Sequence, residues 1–218
     1  MEKETYKLLS CNLYRITLIH SLLFCLCTAC CLTDSKSLKH KIEHSEKDII
    51  YRAVALLAVG AKGYGSDNFR LSDFTEKYPL IQYLTEDEYL FICDETYNSK
   101  HSDAPRFYEY KWRTESACTL LWAIGYFDEL KVDNPGVPCE VSSVLNILEN
   151  SDKAVRNINI RPLSEILAMA NLYKGYELST RSARIIGQED CVDSSLIDPA
   201  IVFWRYLALK WLLGMDDW

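Results

Sequence analysis

The sequence predicts an all-α fold: a single globular multi-helix domain built around a central apolar helix at about residues 106–130. The chain has 218 residues, of which 49% are hydrophobic and only 8 are glycine and 6 proline. This composition favours a compact domain and excludes a disordered or collagen-like chain. Apolar residues recur at helical spacing in several segments, and no β-hairpin pattern interrupts them. We expect the domain to cover residues 46–218.

Residues 1–31 have the layout of a signal peptide or membrane anchor. A weakly basic start precedes the apolar run Ile16–Leu32, which is 17 residues long. Its end, Cys27-Thr28-Ala29-Cys30, resembles a bacterial lipoprotein box, and Cys30 is the cysteine that would carry the lipid. The charged residues 32–45 are interpreted as a tether. We therefore expect a lipoprotein of the cell envelope that touches the membrane only through this segment; an uncleaved anchor or a cytoplasmic chain are the alternatives.

Three helices are predicted in the first part of the domain. Apolar residues from Asp48 to Gly60 recur at the spacing that buries one helical face, and the glycines that follow are expected to end this helix. A second helix should begin at Thr85, because Glu88 three residues later completes a capping box. In the third, at about 106–130, the stretch Ala117–Phe127 is apolar almost throughout and leaves no solvent face. That stretch is the predicted centre of the core.

Proline and glycine divide the second part of the domain. Residues 134–138 read Asn-Pro-Gly-Val-Pro, the strongest helix breaker in the chain, and a short helix at about 141–148 should follow. Pro162 suits the first turn of a long helix that reaches about Ile186. Asp198 and Pro199 repeat this start signal for a last helix that ends near Leu213.

Charge and composition exclude several classes of function. The net charge is -7 with no basic stripe, so nucleic acid is not an expected ligand. No cofactor is predicted, because no phosphate-binding loop is present. His40-Lys41-Ile42-Glu43-His44 matches the inverted zinc-protease motif, but it lies in the charged tether and is interpreted as a chance match. No metal site is predicted, and Cys118 is expected to be a buried small hydrophobe.

Arginines and carboxylates at the junctions of apolar segments are the remaining candidates for a site. They are Arg113 and Glu115, Arg161 and Glu165, Arg181 and Arg184, and Arg205. In one interpretation they form ion pairs that lock helices together, as the i, i+4 spacings of Glu109 with Arg113 and of Glu177 with Arg181 suggest. In the other, Glu115 or Glu165 is a general base and an arginine holds an anionic substrate. We favour the structural interpretation, because no nucleophile accompanies these residues.

Six blocks make the chain recognisable by their order and spacing. They are Tyr51-Arg52-Ala53, Leu84-Thr85-Glu86-Asp87-Glu88, Trp112-Arg113-Thr114-Glu115-Ser116-Ala117, Leu121-Trp122-Ala123-Ile124-Gly125, the run from Ile160 to Leu167, and the run from Arg205 to Leu212. Through these blocks, residues 46–218 resemble the bacterial domain of unknown function 4272 (DUF4272) family. The resemblance implies no particular activity.

The resemblance also identifies substituted positions. The family tends to have other residues, mostly polar, where this chain has Asn171, Leu178, Trp204, Tyr206 and Lys210, and its pattern continues past the segment that ends here at Trp218. If those family residues form a catalytic centre, this chain lacks it. We therefore favour an exported, lipid-anchored, non-catalytic module that binds an unknown protein or small ligand. A hydrolase or transferase using Glu115 or Glu165 is one alternative, and an immunity-type inhibitor of a basic toxin is another.

Overall fold

The computed structural model describes residues 41–65, 79–93, 109–126, 135–140, 158–185, 187 and 196–215. These residues form five α-helices: α1 (Glu46–Gly63), α2 (Glu86–Cys93), α3 (Arg113–Ala123), α4 (Leu163–Ile185) and α5 (Pro199–Leu212). A 3-10 turn at Leu80–Tyr83 precedes α2. The described residues contain no strand, and the predicted all-α fold is confirmed.

Helix α1 begins at a capping box that involves Ser45 and Asp48. The Asp48 N–H donates to Ser45 Oγ at 3.2 Å, and the Ser45 N–H donates to the Asp48 carboxylate at 3.2 Å. Two unpaired amides of the first turn are thereby satisfied. From Ile49 to Gly63 every residue is buried except Tyr51 and Lys62. Helix α1 is therefore as central as the helix at about 106–130, which the sequence predicts to be the centre of the core.

Gly60 and Gly63 lie at a helix crossing. Of the glycines that we expected to end this helix, Gly60 lies within α1 and Gly63 is its last residue. A Cβ atom at Gly60 would lie 2.5 Å from Thr114 Cγ2, and one at Gly63 would lie 2.5 Å from the backbone nitrogen of Lys111. The missing side chains let α1 approach the start of α3 closely. The chain turns only at Gly65, which has a φ of 69°.

Helix α3 occupies the centre, as predicted, but it is shorter than the predicted 106–130. Residues 109–111 form a separate helical turn, and α3 begins at Arg113. All residues from Arg113 to Ala123 are buried, which confirms that this helix has no solvent face. Of the remaining predicted span, 106–108 and 127–130 lie outside the described residues.

The C-terminal end of α3 is set by Gly125 and by a neighbouring segment. Gly125 has a φ of 74°, a left-handed conformation that glycine adopts without steric cost. The N–H groups of Asn159 and Arg161 donate to the carbonyls of Ile124 and Ala123 at 3.0 and 2.9 Å. These bonds satisfy carbonyl groups that the end of the helix leaves free.

Helices α4 and α5 start near the predicted prolines. Helix α4 begins directly after Pro162 and buries one stripe of its surface, including Ile166 and Tyr173. At the start of α5 the Asp198 carboxylate accepts the Ala200 N–H at 2.7 Å, and Pro199 takes the first helical position, as predicted.

The helices form a single globular domain. Helix α1 packs against α3, α5 packs against both α3 and α4, and α2 with the 3-10 turn packs against α1. Among the helices of the described ranges, none combines the length and hydrophobicity needed to cross a lipid bilayer. The predicted signal segment 1–31, the first part of the tether and the predicted helix at 141–148 lie outside the described residues.

Candidate functional site

Glu115 and Arg205 form a fully buried ion pair at the centre of the domain. Arg205 Nε, in the middle of α5, donates to Glu115 Oε2 in the first turn of α3 at 2.9 Å, and both side chains are 0% exposed. Arg205 Nη1 donates to the Tyr173 hydroxyl of α4 at 2.8 Å, and Nη2 donates to the Val137 carbonyl at 3.0 Å. The second Glu115 oxygen accepts the Cys139 N–H at 2.7 Å. The pair therefore joins α3, α4, α5 and the segment 135–140.

The surroundings of this pair leave no space for a substrate. Each Glu115 oxygen already accepts a hydrogen bond, and the carboxylate contacts Arg205 directly, with no gap between them. Burial acts to lower the pKa of Arg205, but the charge of Glu115 outweighs it and the pKa is raised. Arg205 therefore keeps its charge in the core, where it is paired with the Glu115 side chain.

A second buried cluster is centred on Glu88, which the sequence had identified only as a helix cap. Arg52 Nη1 and Nη2 donate to the two Glu88 oxygens at 2.6 and 3.1 Å, and Arg113 Nε donates to Oε1 at 2.9 Å. The Thr85 N–H donates to Oε2 at 3.0 Å, so the capping box is confirmed as well. Burial acts to raise the pKa of Glu88, but the two arginines and the hydrogen bonds outweigh it and lower the pKa.

Arg113 connects the two clusters. The predicted pair of Arg113 with Glu109 is wrong, because Arg113 turns to Glu88. Its guanidinium carbon lies 3.8 Å from the centre of the Trp204 ring. Trp204 is the residue directly before Arg205 in the sequence. Burial lowers the pKa of Arg113 despite the charge of Glu88, and Nη1 finds no hydrogen-bond partner among the described residues. The ring face of Trp204 supplies the attraction that a second carboxylate would otherwise provide.

Glu165 lies at the surface and is not a buried general base. It accepts from Arg161 Nη1 at 3.2 Å across one turn of α4, and its side chain is 51% exposed. Arg161 also donates from Nε to the Trp122 carbonyl at 2.9 Å and lies over the Trp122 ring. The arrangement anchors the start of α4 to the end of α3, as expected of a structural ion pair.

Arg181 lines a cleft between the C-terminal half of α4 and the first turns of α5. The cleft has a volume of about 470 Å³ and is lined by Glu177, Thr180, Arg181, Arg184, Pro199, Ala200, Phe203 and Trp204. The predicted pair of Glu177 with Arg181 does not form. Within the described residues neither Arg181 nor Arg184 takes part in an ion pair. The Phe203 side chain is 48% exposed. The sequence does not predict that these residues line one cleft, because they belong to two different helices, α4 and α5.

No metal site is found among the described residues, where no group of three or more histidine, cysteine or acidic side chains is arranged to hold a metal ion. Of the H-x-x-E-H motif, His40 lies outside the described residues. The His44 ring stacks on the Trp211 ring with centroids 3.6 Å apart, and its Nε2 lies 3.1 Å from the Trp211 carbonyl oxygen. Cys118 is buried, as predicted, and the predicted lipidation site Cys30 lies outside the described residues.

Comparison with known proteins gives one match. The model of a family described as a domain of unknown function (DUF4272) matches residues 31–218. No curated protein and no solved structure matches the chain.

Proposed function

The chain belongs to the DUF4272 family, and we propose that it is a non-catalytic binding module, exported and held at the cell envelope by its N-terminal segment. We further propose that the cleft between α4 and α5 binds a small ligand with an anionic group on a flat apolar body. The observation that carries this proposal is the presence of Arg181 and Arg184 beside an exposed aromatic ring, with neither arginine in an ion pair among the described residues although Glu177 lines the same cleft.

The positions of the two candidate acids, Glu115 and Glu165, argue against catalysis. A general base must reach the proton that it abstracts, directly or through one water. The Glu115 carboxylate is enclosed by Arg205 and the Cys139 N–H and has no exposed surface. Glu165 reaches solvent, but it lies in the first turn of α4, whereas the cleft is formed by the second half of that helix.

The residues of the cleft indicate the chemistry of the ligand. Arg181 and Arg184 are three residues apart on α4, so their side chains project from the same face. A guanidinium binds a carboxylate or phosphate group through two parallel hydrogen bonds. The half-exposed Phe203 ring offers a surface on which a flat apolar group can stack. A volume of about 470 Å³ also lies in the usual range for small-molecule sites.

We expect the purified full chain to bind phenyl phosphate in the cleft. Calorimetry and ligand-observed NMR should show saturable binding, and phenylacetate in a parallel titration distinguishes phosphate from carboxylate as the preferred group. The variant R181Q/R184Q should weaken binding at least about tenfold, which corresponds to about 1.4 kcal/mol. Both arginines are exposed, so the variant should fold normally.

Lys174→Gln is the matched control, because Lys174 is an exposed cation of the same helix that does not line the cleft. This variant should bind like the original chain. Absence of saturable binding of both probes, or equal binding by R181Q/R184Q and the original chain, would contradict the proposed site.

The envelope location is tested separately by labelling with a radioactive fatty acid. The full chain, expressed in bacteria, should incorporate the label, and Cys30→Ala should abolish it because the acceptor thiol is gone. Cys31→Ala removes the neighbouring cysteine and should keep the label. If the original chain takes up no label, or if Cys30→Ala is labelled as strongly as the original chain, the lipoprotein assignment is wrong.

A further inference from the structure

Two cysteines lie beside the buried Glu115–Arg205 pair. Cys118 follows Glu115 by three residues in α3, so the two side chains share one face of the helix. Cys139 belongs to the segment 135–140, and its N–H is held by Glu115 Oε1 at 2.7 Å. Its sulfur lies 3.9 Å from Arg205 Nη2, and Cys139 is the neighbour that contributes most to the raised pKa of the Cys118 thiol.

We propose that Cys118 and Cys139 form an intramolecular disulfide on oxidation, which ties the segment 135–140 to α3 above the Glu115–Arg205 pair. Two features place the cysteines side by side: Cys118 shares a helical face with Glu115, and the Glu115 carboxylate holds the Cys139 N–H at 2.7 Å. Both cysteines are free thiols in this structure. The third described thiol, Cys93, is exposed at the end of α2.

The two thiols differ in a way that sets the order of the reaction. Cys139 is only half-buried, so an external disulfide can reach its sulfur. Cys118 is almost fully buried, and the neighbouring Cys139 together with burial raises the pKa of its thiol well above the ordinary range. Cys139 is therefore the nucleophile that meets the oxidant, and Cys118 resolves the intermediate.

The oxidant is an external disulfide, such as that of a thiol oxidoreductase or of oxidised glutathione. The Cys139 thiolate attacks one sulfur of that disulfide, forms a mixed disulfide and releases the other sulfur as a thiolate. Cys118 then loses its proton and attacks the Cys139 sulfur, and the second external thiolate leaves. The two protein thiols are oxidised, the external disulfide is reduced to two thiols, and these take up both protons.

This bond goes beyond the proposed ligand site, because it depends on neither the cleft nor its ligand. It would fix a segment that supplies the Cys139 N–H and the Val137 carbonyl to the central ion pair. Disulfides persist in exported proteins, which matches the proposed location of this chain.

The test uses the purified full chain, which is reduced, treated with oxidised glutathione, alkylated and digested with trypsin. Cleavage after Lys131 places the two cysteines in different peptides. We expect most of the Cys118 peptide to be recovered in covalent linkage to the Cys139 peptide, with the loss of two hydrogens. Oxidation should also raise Tm, because the cross-link restricts the unfolded chain.

Cys93→Ser is the control variant and should keep both the linked peptide and the rise in Tm. Cys139→Ala should abolish both, and in that variant Cys118 should be alkylated after denaturation. The proposal is overturned if Cys118 and Cys139 are recovered as free thiols when exposed Cys93 has formed a mixed disulfide. It is also overturned if either is linked mainly to another cysteine.

Discussion

Replacing Glu115 by glutamine should lower the free energy of unfolding by about 3–5 kcal/mol, because it leaves the Arg205 guanidinium charged and without a counter-ion in the core. The side chains of Glu115 and Arg205 are both 0% exposed, so water cannot compensate for the lost carboxylate. Urea denaturation followed by circular dichroism measures the change.

Glu165→Gln is the matched control, since it makes the same chemical change in the other acid that the sequence identified as a candidate. The Glu165 side chain is 51% exposed, and its partner Arg161 also donates to the Trp122 carbonyl and so keeps a second partner. Its replacement should cost no more than about 1 kcal/mol. Equal, small losses for both variants would mean that the Glu115–Arg205 pair does not stabilise the core.

Replacing both members of the pair should cost less than removing one. In Glu115→Leu/Arg205→Met no buried charge is left alone, and apolar side chains of similar volume fill the space. Some loss remains, because the Tyr173 hydroxyl and the Val137 carbonyl lose a donor. The difference between the single and double variants measures the cost of an isolated buried charge.

The local parts of the fold could be predicted, because their signals lie within a few residues of one another. The capping box of Thr85 with Glu88 and the start of α5 at Asp198 and Pro199 are examples. Burial of the central part of α3 also follows from sequence, because a helix that is apolar on all sides has no face to turn to solvent.

The interactions between helices could not be predicted in this way. Local spacing predicted that Arg113 pairs with Glu109, yet Arg113 pairs with Glu88, which is 25 residues away. Glu115 and Arg205 are 90 residues apart, and only the packing of α3 on α5 brings them together. A buried carboxylate gains more from a partner than an exposed one does, so tertiary contacts decide the pairing.

Glycine shows the same ambiguity between local and tertiary roles. A glycine near the end of an apolar periodic stretch is typical of a helix end. Gly60 instead permits the close approach of Thr114. No local sequence pattern predicts this contact, because the two residues belong to different helices. Arg52 offered the better clue, because a charged residue within the apolar run of α1 needs a buried counter-ion, which Glu88 supplies.

Replacing Glu88 by glutamine should also destabilise the protein by about 3–5 kcal/mol. The reason is that it removes the carboxylate with which two buried arginines, Arg52 and Arg113, both pair. The variant should in addition weaken the dependence of stability on pH in acid. The pKa of Glu88 lies below its ordinary value of 4.5 in the folded protein, so the unfolded chain binds the proton more tightly. The stability that the ionised Glu88 carboxylate contributes is therefore complete at pH values above the ordinary pKa of 4.5. It is lost as the pH falls through the lowered pKa of the folded protein.

Urea denaturation at a series of pH values, from about 7 down to about 3, tests this prediction, because the loss of stability begins as the pH falls below the ordinary pKa of 4.5. The free energy of unfolding should fall less steeply for Glu88→Gln than for the original chain. A smaller slope should remain, because the pKa of Asp48 is also lowered, chiefly by its hydrogen bond with Ser45. Glu86→Gln makes the same change at an exposed position in the first turn of α2 and should keep both the stability, within about 0.5 kcal/mol, and the acid slope of the original chain. An unchanged slope in Glu88→Gln would show that this carboxylate is not the group whose protonation weakens the fold in acid.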